Sequence, residues 1–256
     1  MNNHEDTGKI SVWNAFWAAM QFLTITPAMV QRPFSAPEMG ASLAFYPFVG
    51  FVIGLILAFG SWLFQRIFPL QLSAALILGL WIGLSGALHL DGFLDACDGL
   101  FGGWTAEKRL EIMHDEHLGA FAFAGGAVLL LVKFAALNAS QLSILPLMLA
   151  PMLSRWGMVL AIVVFPYQSA SGVGRSIKDY ASWKSVLVAS IFVLGITALS
   201  ASISGWIALV VVVMVVWGVA QFTLRRIPSL TGDIYGAINE LAELAVLLTI
   251  VACKTI

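Results

Sequence analysis

The sequence predicts an all-α, polytopic integral membrane protein: about seven transmembrane helices, an N-terminal interfacial helix and a short cytoplasmic surface helix. Three observations predict it. Of 256 residues 60% are hydrophobic, only 11% are charged, and the mean hydropathy is +0.92. Soluble domains run at about 45–50% apolar and about 25% charged residues. Third, the apolar residues fall into windows long enough to cross a bilayer, which takes about 20 residues. Such windows lie near residues 43–64, 70–88, 119–137, 142–165, 183–203, 205–224 and 235–253. Helices are the expected form because backbone polar groups in lipid must be satisfied within their own segment. No solenoid-length repeat interrupts the pattern, so residues 1–256 read as one membrane-embedded domain.

The chain opens with Glu5 and Asp6, and Asn14 and Gln21 interrupt the first apolar run, a pattern unlike a signal peptide. Trp13, Phe16, Trp17, Met20 and Leu23 recur at helical spacing, so residues 11–25 are expected to form a helix in the membrane interface. Pro27, Pro33 and Pro37 then break the chain before the first span. With an even alternation of spans, Lys9, Arg32, Lys108, Arg109, Arg175, Lys178, Arg225 and Arg226 share one side, with Lys184 at the adjoining helix end. Only Arg66 and Lys254 fall opposite, which makes the first side cytoplasmic. The acids collect there too, so the chemistry is expected to face the cytoplasm. Cys97 and Cys253 fall on opposite faces and imply no disulfide.

The second span is expected to run past the membrane surface and end in "HLDGFLDACDGLFGGW", residues 89–104. Asp91, Asp95 and Asp98 are spaced i, i+4, i+7, which puts them on one helix face. Neighbouring carboxylates repel unless a cation compensates. Lys108 and Arg109 are too few. Mg²⁺ prefers hard oxygen ligands, commonly one or two carboxylates with waters and a substrate phosphate. Thr105 is expected to cap a surface helix over 106–118 that folds Asp115 back toward the comb. His114 and His117 have metal-ligand spacing, but the surrounding acids favour a harder ion than zinc. His89 is a candidate acid, base or phosphate donor.

Further along, "VGRSIKDY" brings Arg175 and Lys178 to the same side, and "RRIPSLTGDIYGAINELAEL" leads into the last span. Thr231, Gly232 and Asp233 stand at that helix's N-terminus, where free amides suit a phosphate. Asp233 either caps the helix or adds a metal ligand. Arg155 lies deep in its span and needs a buried partner, for which Asn239, Glu240 and Glu243 are the candidates, whether as an ion pair or as a substrate-cavity wall. Lys133 is expected to snorkel outward. The residues alone therefore predict a membrane enzyme holding a divalent metal and a phosphorylated substrate.

Several stretches together resemble the adenosylcobinamide-GDP ribazoletransferase family, the cobalamin synthases. They are "QFLTITP" at 21–27, "ALHLDGFLDACDGLFGG" at 87–103, "RLEIMHDEHLGAF" at 109–121, "LSR" at 153–155 and "LTGDIYGAINELAEL" at 230–244. The resemblance implies a multi-pass enzyme of a bacterial or archaeal cytoplasmic (inner) membrane. In that reaction a hydroxyl of α-ribazole, or of its phosphate, displaces GMP from adenosylcobinamide-GDP with Mg²⁺ required. Its partners are then a corrinoid nucleotide, a ribazole and the lipid bilayer, with no nucleic acid. The implied catalytic groups are Asp91, Asp95, Asp98, Asp115 and His89. Asp91, Asp95, Asp98 and Asp233 are the implied metal ligands, and Arg155, Arg175, Lys178, Thr231, Asn239 and Glu240 the substrate-binding residues. Ile25 stands where the family commonly has a basic residue. Two other classes stay open on the residues: a CDP-alcohol phosphotransferase, whose motif "DACDG" begins but Phe101 and Gly102 break, and a cation transporter using Asp91, Asp95, Glu240 and Glu243.

Overall fold

A computed structural model describes residues 11–167 and 173–255, and in them the chain is helical, without a named strand. His4, Glu5, Asp6 and Lys9 lie outside the described residues. Helix α1 (Val12–Leu23) is capped by Ser11, and α2 (Ala36–Ser42) by a reciprocal pair in which Ser35 and Glu38 satisfy each other's backbone amides. A 3₁₀ turn over Leu43–Phe45 carries α2 into α3 (Tyr46–Phe64). Together α2, the turn and α3 form one apolar run of 29 residues.

After α3 come α4 (Leu70–Leu84), α5 (Leu88–Gly102), α6 (Ala106–Met113), α7 (Ala120–Ala139) and α8 (Ile144–Val164). Then follow α9 (Val173–Asp179), α10 (Trp183–Leu199), α11 (Ile203–Leu224) and α12 (Gly232–Thr255). The α2–α3 run, α7, α8, α11 and α12 are each long and apolar enough to cross a membrane, and the bent pairs α4–α5 and α9–α10 would bring the crossings to seven.

The second span departs from the sequence expectation. Rather than running on into the acidic stretch, it stops at Leu84, and α5 leaves at 89° to α4. The corner is built from Gly86 and Ala87, with φ of +59° and +58°. Left-handed backbone suits Gly86, whereas it strains Ala87, which carries a Cβ. Ile25 clamps the corner by donating its backbone N–H to the Leu84 carbonyl at 3.0 Å. The turn swings the aspartates away from the α4 axis and across the start of α12. Helix α6 also ends sooner than expected, at Met113, although Thr105 caps it as the sequence predicts, accepting from the Lys108 amide at 3.2 Å.

Helices α8 and α12 form the centre. Helix α3 lies directly on α8 because Gly54 has no side chain to hold them apart: a Cβ there would come within 2.7 Å of the Met148 Cα. Helices α10 and α11 touch the bundle by one narrow stripe each, Val186, Ala189 and Val193 on one and Ala208, Val212, Val216 and Ala220 on the other. Their remaining apolar faces point outward, as lipid-facing helices do. Cys97 is buried and Cys253 exposed, both as free thiols.

Candidate active site

Helices α5 and α12 cross at a glycine pair. A Cβ on Gly92 would come within 3.0 Å of the Asp233 Cα, and one on Gly236 within 2.9 Å of the His89 carbonyl oxygen. This near backbone-to-backbone approach sets Asp91 and Asp95 of α5 beside Asp233 in the first turn of α12. Asp91, Asp233 and Asp98 all act electrostatically on Asp95. Neither the Asp91 nor the Asp95 carboxylate has a hydrogen-bond or ion-pair partner among the described residues.

Asp233 does not cap its helix. Thr231 does: its hydroxyl accepts from the Ile234 amide at 3.3 Å and donates to the Asp233 carboxylate at 3.2 Å. One carboxylate oxygen of Asp233 is thus steadied while the group as a whole faces α5. Asp98 has the opposite fate. It is 8% exposed, and its two oxygens accept from the Gly119 amide at 2.6 Å and the Ala122 amide at 2.9 Å. It therefore caps the N-terminus of α7 from another helix, where a carboxylate also meets the favourable end of the helix dipole. The expected comb of three becomes Asp91 and Asp95 joined by Asp233, with Asp98 turned to a structural partner.

A cavity of about 240 Å³ opens beside this crossing. Its polar lining is His89 and Asp91 from α5 and Asp233 and Tyr235 from α12. Tyr46, Met158 and Ile162 supply apolar wall from α3 and α8. His89 is only 2% exposed, yet among the described residues neither ring nitrogen has a partner, and the buried Tyr235 hydroxyl is likewise unpaired. Buried polar atoms are nearly always hydrogen-bonded, so such atoms on a cavity wall point to a ligand. Tyr235 also stacks on Tyr167, with ring centroids 5.8 Å apart and planes 10° from parallel.

The other expected site residues lie elsewhere. Asp115 does not fold back; 56% exposed, it pairs with His117 at 2.6 Å, and this hydrogen bond holds its carboxyl below the usual carboxylate range. Lys178 is not free for a phosphate, because its ammonium donates to the carbonyls of Ile162, Val163 and Phe165 and so caps the end of α8. Arg175 pairs with Asp179 one turn away. Arg155, Asn239 and Glu240 are buried in a network centred on Glu243 and do not line the cavity. Glu243 accepts from Arg155 at 2.9 Å, Lys133 at 2.6 Å, Asn239 at 3.1 Å and the Trp81 indole at 3.2 Å. Lys133 also reaches Glu240 at 2.5 Å. Arg155 thus has the partner its depth demands, while Lys133, expected to snorkel, is instead a buried member of the network. With Glu240 and Glu243 paired to cations in this way, no line of free carboxylates runs into the bundle for a transported cation among the described residues.

Among the described residues no three His, Cys, Asp or Glu side chains converge so as to hold a metal ion unaided. Mg²⁺ does not need such a cage, since it keeps several waters and takes one or two carboxylates plus substrate phosphates. The unpaired oxygens of Asp91 and Asp95 beside Asp233 fit that demand.

The sequence missed the cavity wall and the Tyr167–Tyr235 stack, which require the fold. It did contain a signal for Lys133: that lysine and Arg155 are the cations inside spans, and Glu240 and Glu243 the acids facing them.

A family model described as cobalamin-5-phosphate synthase matches residues 15–251. The adenosylcobinamide-GDP ribazoletransferase of Pseudomonas syringae pv. syringae is 40% identical over 243 residues, covering 92% of this chain and 98% of its own. That of Pseudomonas savastanoi pv. phaseolicola is 39% identical over 92% and 98% of the two chains. The protein of the same name from Syntrophobacter fumaroxidans is 36% identical over 94% and 99%. No solved structure matches. The matched region runs from α1 to the last turns of α12 and so includes both helices of the glycine crossing, and on that extent the chain belongs to the cobalamin-5-phosphate synthase family of membrane-embedded transferases.

Proposed function

We propose that this chain joins adenosylcobinamide-GDP to α-ribazole or its phosphate, releasing GMP, at the glycine crossing of α5 and α12. The relatives' activity suggests the reaction; the observation that carries the site is the pair of unpartnered carboxylates on α5 facing Asp233 beside a cavity. In the transfer, the ribose hydroxyl oxygen bonds to the cobinamide-side phosphorus and the bridging P–O bond breaks. GMP leaves with the bridging oxygen, and the hydroxyl proton passes to solvent or to the departing phosphate.

One or two carboxylates of the group Asp91, Asp95 and Asp233, with waters and the substrate's phosphates, would hold Mg²⁺, which when bound neutralises diphosphate charge and stabilises the entering and leaving oxygens. The chain's own contribution is positional, as in most phosphoryl-type displacements. Thr231 fixes the Asp233 carboxylate, the glycine pair fixes its approach to α5, and the end of α12 presents backbone amides suited to a phosphate.

The direct test is to incubate the purified protein in lipid nanodiscs with adenosylcobinamide-GDP, α-ribazole and Mg²⁺. GMP and a cobalamin product in equal amounts, lost on chelation, are expected. Corrinoid nucleotide that survives unchanged, with Mg²⁺ present and the protein folded, overturns the reading.

The same reading places the site on the cytoplasmic face of the inner membrane, supported by the distribution of Lys and Arg. In a Cys253→Ser background, Trp104→Cys should be blocked by thiol reagent only after permeabilisation of whole cells, and Gln141→Cys without it. Trp104 and Gln141 are both exposed, so reagent access is not limited by burial. Labelling of both positions from outside contradicts the orientation.

A further inference from the structure

We infer that the partly open cavity beside the carboxylates is the seat of the acceptor nucleoside, and that the corrinoid nucleotide stays outside it. This deepens the function proposed above and rests on it for the names of the two substrates. Size is the first argument. Ligand pockets for drug-sized molecules run from about 300 to 1,000 Å³, and a cavity of about 240 Å³ accepts a base and a sugar but not a corrin macrocycle. A broader, more open groove of about 520 Å³ adjoins it across Phe22 and Val173, which line both.

Chemistry is the second argument, and it separates the two nucleosides in the reaction. Guanosine offers donors and acceptors along its whole base edge, and burying such an edge without partners is costly. Apart from the carboxylates of Asp91 and Asp233, which on this reading are committed to the metal, the cavity has few partners to give. Met158, Ile162 and the Tyr46 ring face it with carbon and aromatic surface, and among the described residues its buried unpaired polar atoms include the His89 ring nitrogens and the Tyr235 hydroxyl. A dimethylbenzimidazole base is largely apolar and has no N–H once it carries its ribose. Its methylated ring suits the wall, and its ribose hydroxyls suit His89 and Tyr235.

Placement is the third. Asp91 and Asp233 line the same cavity, so a ribose held by His89 lies next to the group that would carry the diphosphate. His89 is then a substrate-binding residue whose imidazole nitrogens accept from or donate to a ribose hydroxyl. Tyr235, held flat against Tyr167, completes the polar end.

Binding and kinetics in nanodiscs test this. α-Ribazole should bind the wild-type protein without corrinoid nucleotide or Mg²⁺, and GMP should not displace it. Ile162→Trp, which fills the cavity, should raise the Kd and KM for α-ribazole by about tenfold or more, the scale on which apolar pockets discriminate. The KM for adenosylcobinamide-GDP should stay within about twofold, since that substrate does not enter the cavity. Tyr235→Phe and His89→Gln are smaller changes that should move the same acceptor constants and serve if Ile162→Trp does not fold. Displacement of α-ribazole by GMP, or a rise in the corrinoid KM with the acceptor KM unmoved, overturns the assignment. α-Ribazole binding that is sensitive to Ile162→Trp in a protein that releases no GMP would support the cavity assignment while removing the transferase reading.

Discussion

Asp233→Asn is expected to lower GMP release by about a hundredfold or more, the scale of losing one group that stabilises transition-state charge. Protein yield and thermal stability should stay near wild type. The two halves of that expectation come from different observations. Stability is spared because Thr231, not Asp233, accepts from the Ile234 amide and starts α12. An amide at position 233 still accepts the Thr231 hydroxyl, so the local turn survives. Activity falls because an amide keeps the shape of the carboxylate and loses the charge that would face Mg²⁺ beside Asp91 and Asp95. The measurement is GMP release against Mg²⁺ concentration, with circular dichroism melting as the control. An Asp233→Asn enzyme with wild-type turnover and Mg²⁺ dependence would return this residue to a structural role.

Glu243→Gln should act the other way, through the fold. Glu243 is 1% exposed and accepts from two cations, an amide and an indole. Removing its charge leaves Arg155, which is fully buried, with no carboxylate among the described residues, and leaves Lys133 with Glu240 alone. Breaking a buried ion pair from one side costs about 3–5 kcal/mol, enough to lower expression or unfold the protein in detergent. The physical cause predicts its own remedy. Adding Lys133→Met removes one of the two cations, so Arg155 and Glu240 again balance in charge, and the double variant should be more stable than Glu243→Gln. Thermal midpoints of the three proteins in one detergent check this. A double variant no more stable than Glu243→Gln would mean that the network does not work by charge balance.

The architecture was legible because it depends on composition and period, both of which the chain displays openly. Apolar windows gave the spans, and Thr105 gave the start of α6. What escaped depends on contacts between distant segments. The 89° corner between α4 and α5 rests on left-handed backbone at Ala87, which no pattern of apolar residues signals. Asp98 reads in sequence as one of three equivalent acids, and only its bonds to the Gly119 and Ala122 amides, from a helix beginning some twenty residues on, show that it is a cap. Lys178 is similar: its charge is plain in the sequence, and its use at the end of α8 is not. Asp91, Asp95 and Asp233 were legible as acids in need of a cation. Their meeting depends on Gly92 and Gly236, which in sequence look like ordinary helix glycines.

A double-mutant cycle on Asp91 and Asp233 addresses the meeting of α5 and α12 most directly. The rate of GMP release is measured at saturating Mg²⁺ for wild type, Asp91→Asn, Asp233→Asn and the double variant. If the two carboxylates serve one site, the losses are strongly non-additive, and the double variant is little worse than the poorer single one, as for groups that act as a unit. If the free-energy losses simply add, within about 0.5 kcal/mol, the two residues act independently and the shared site at the glycine crossing is contradicted.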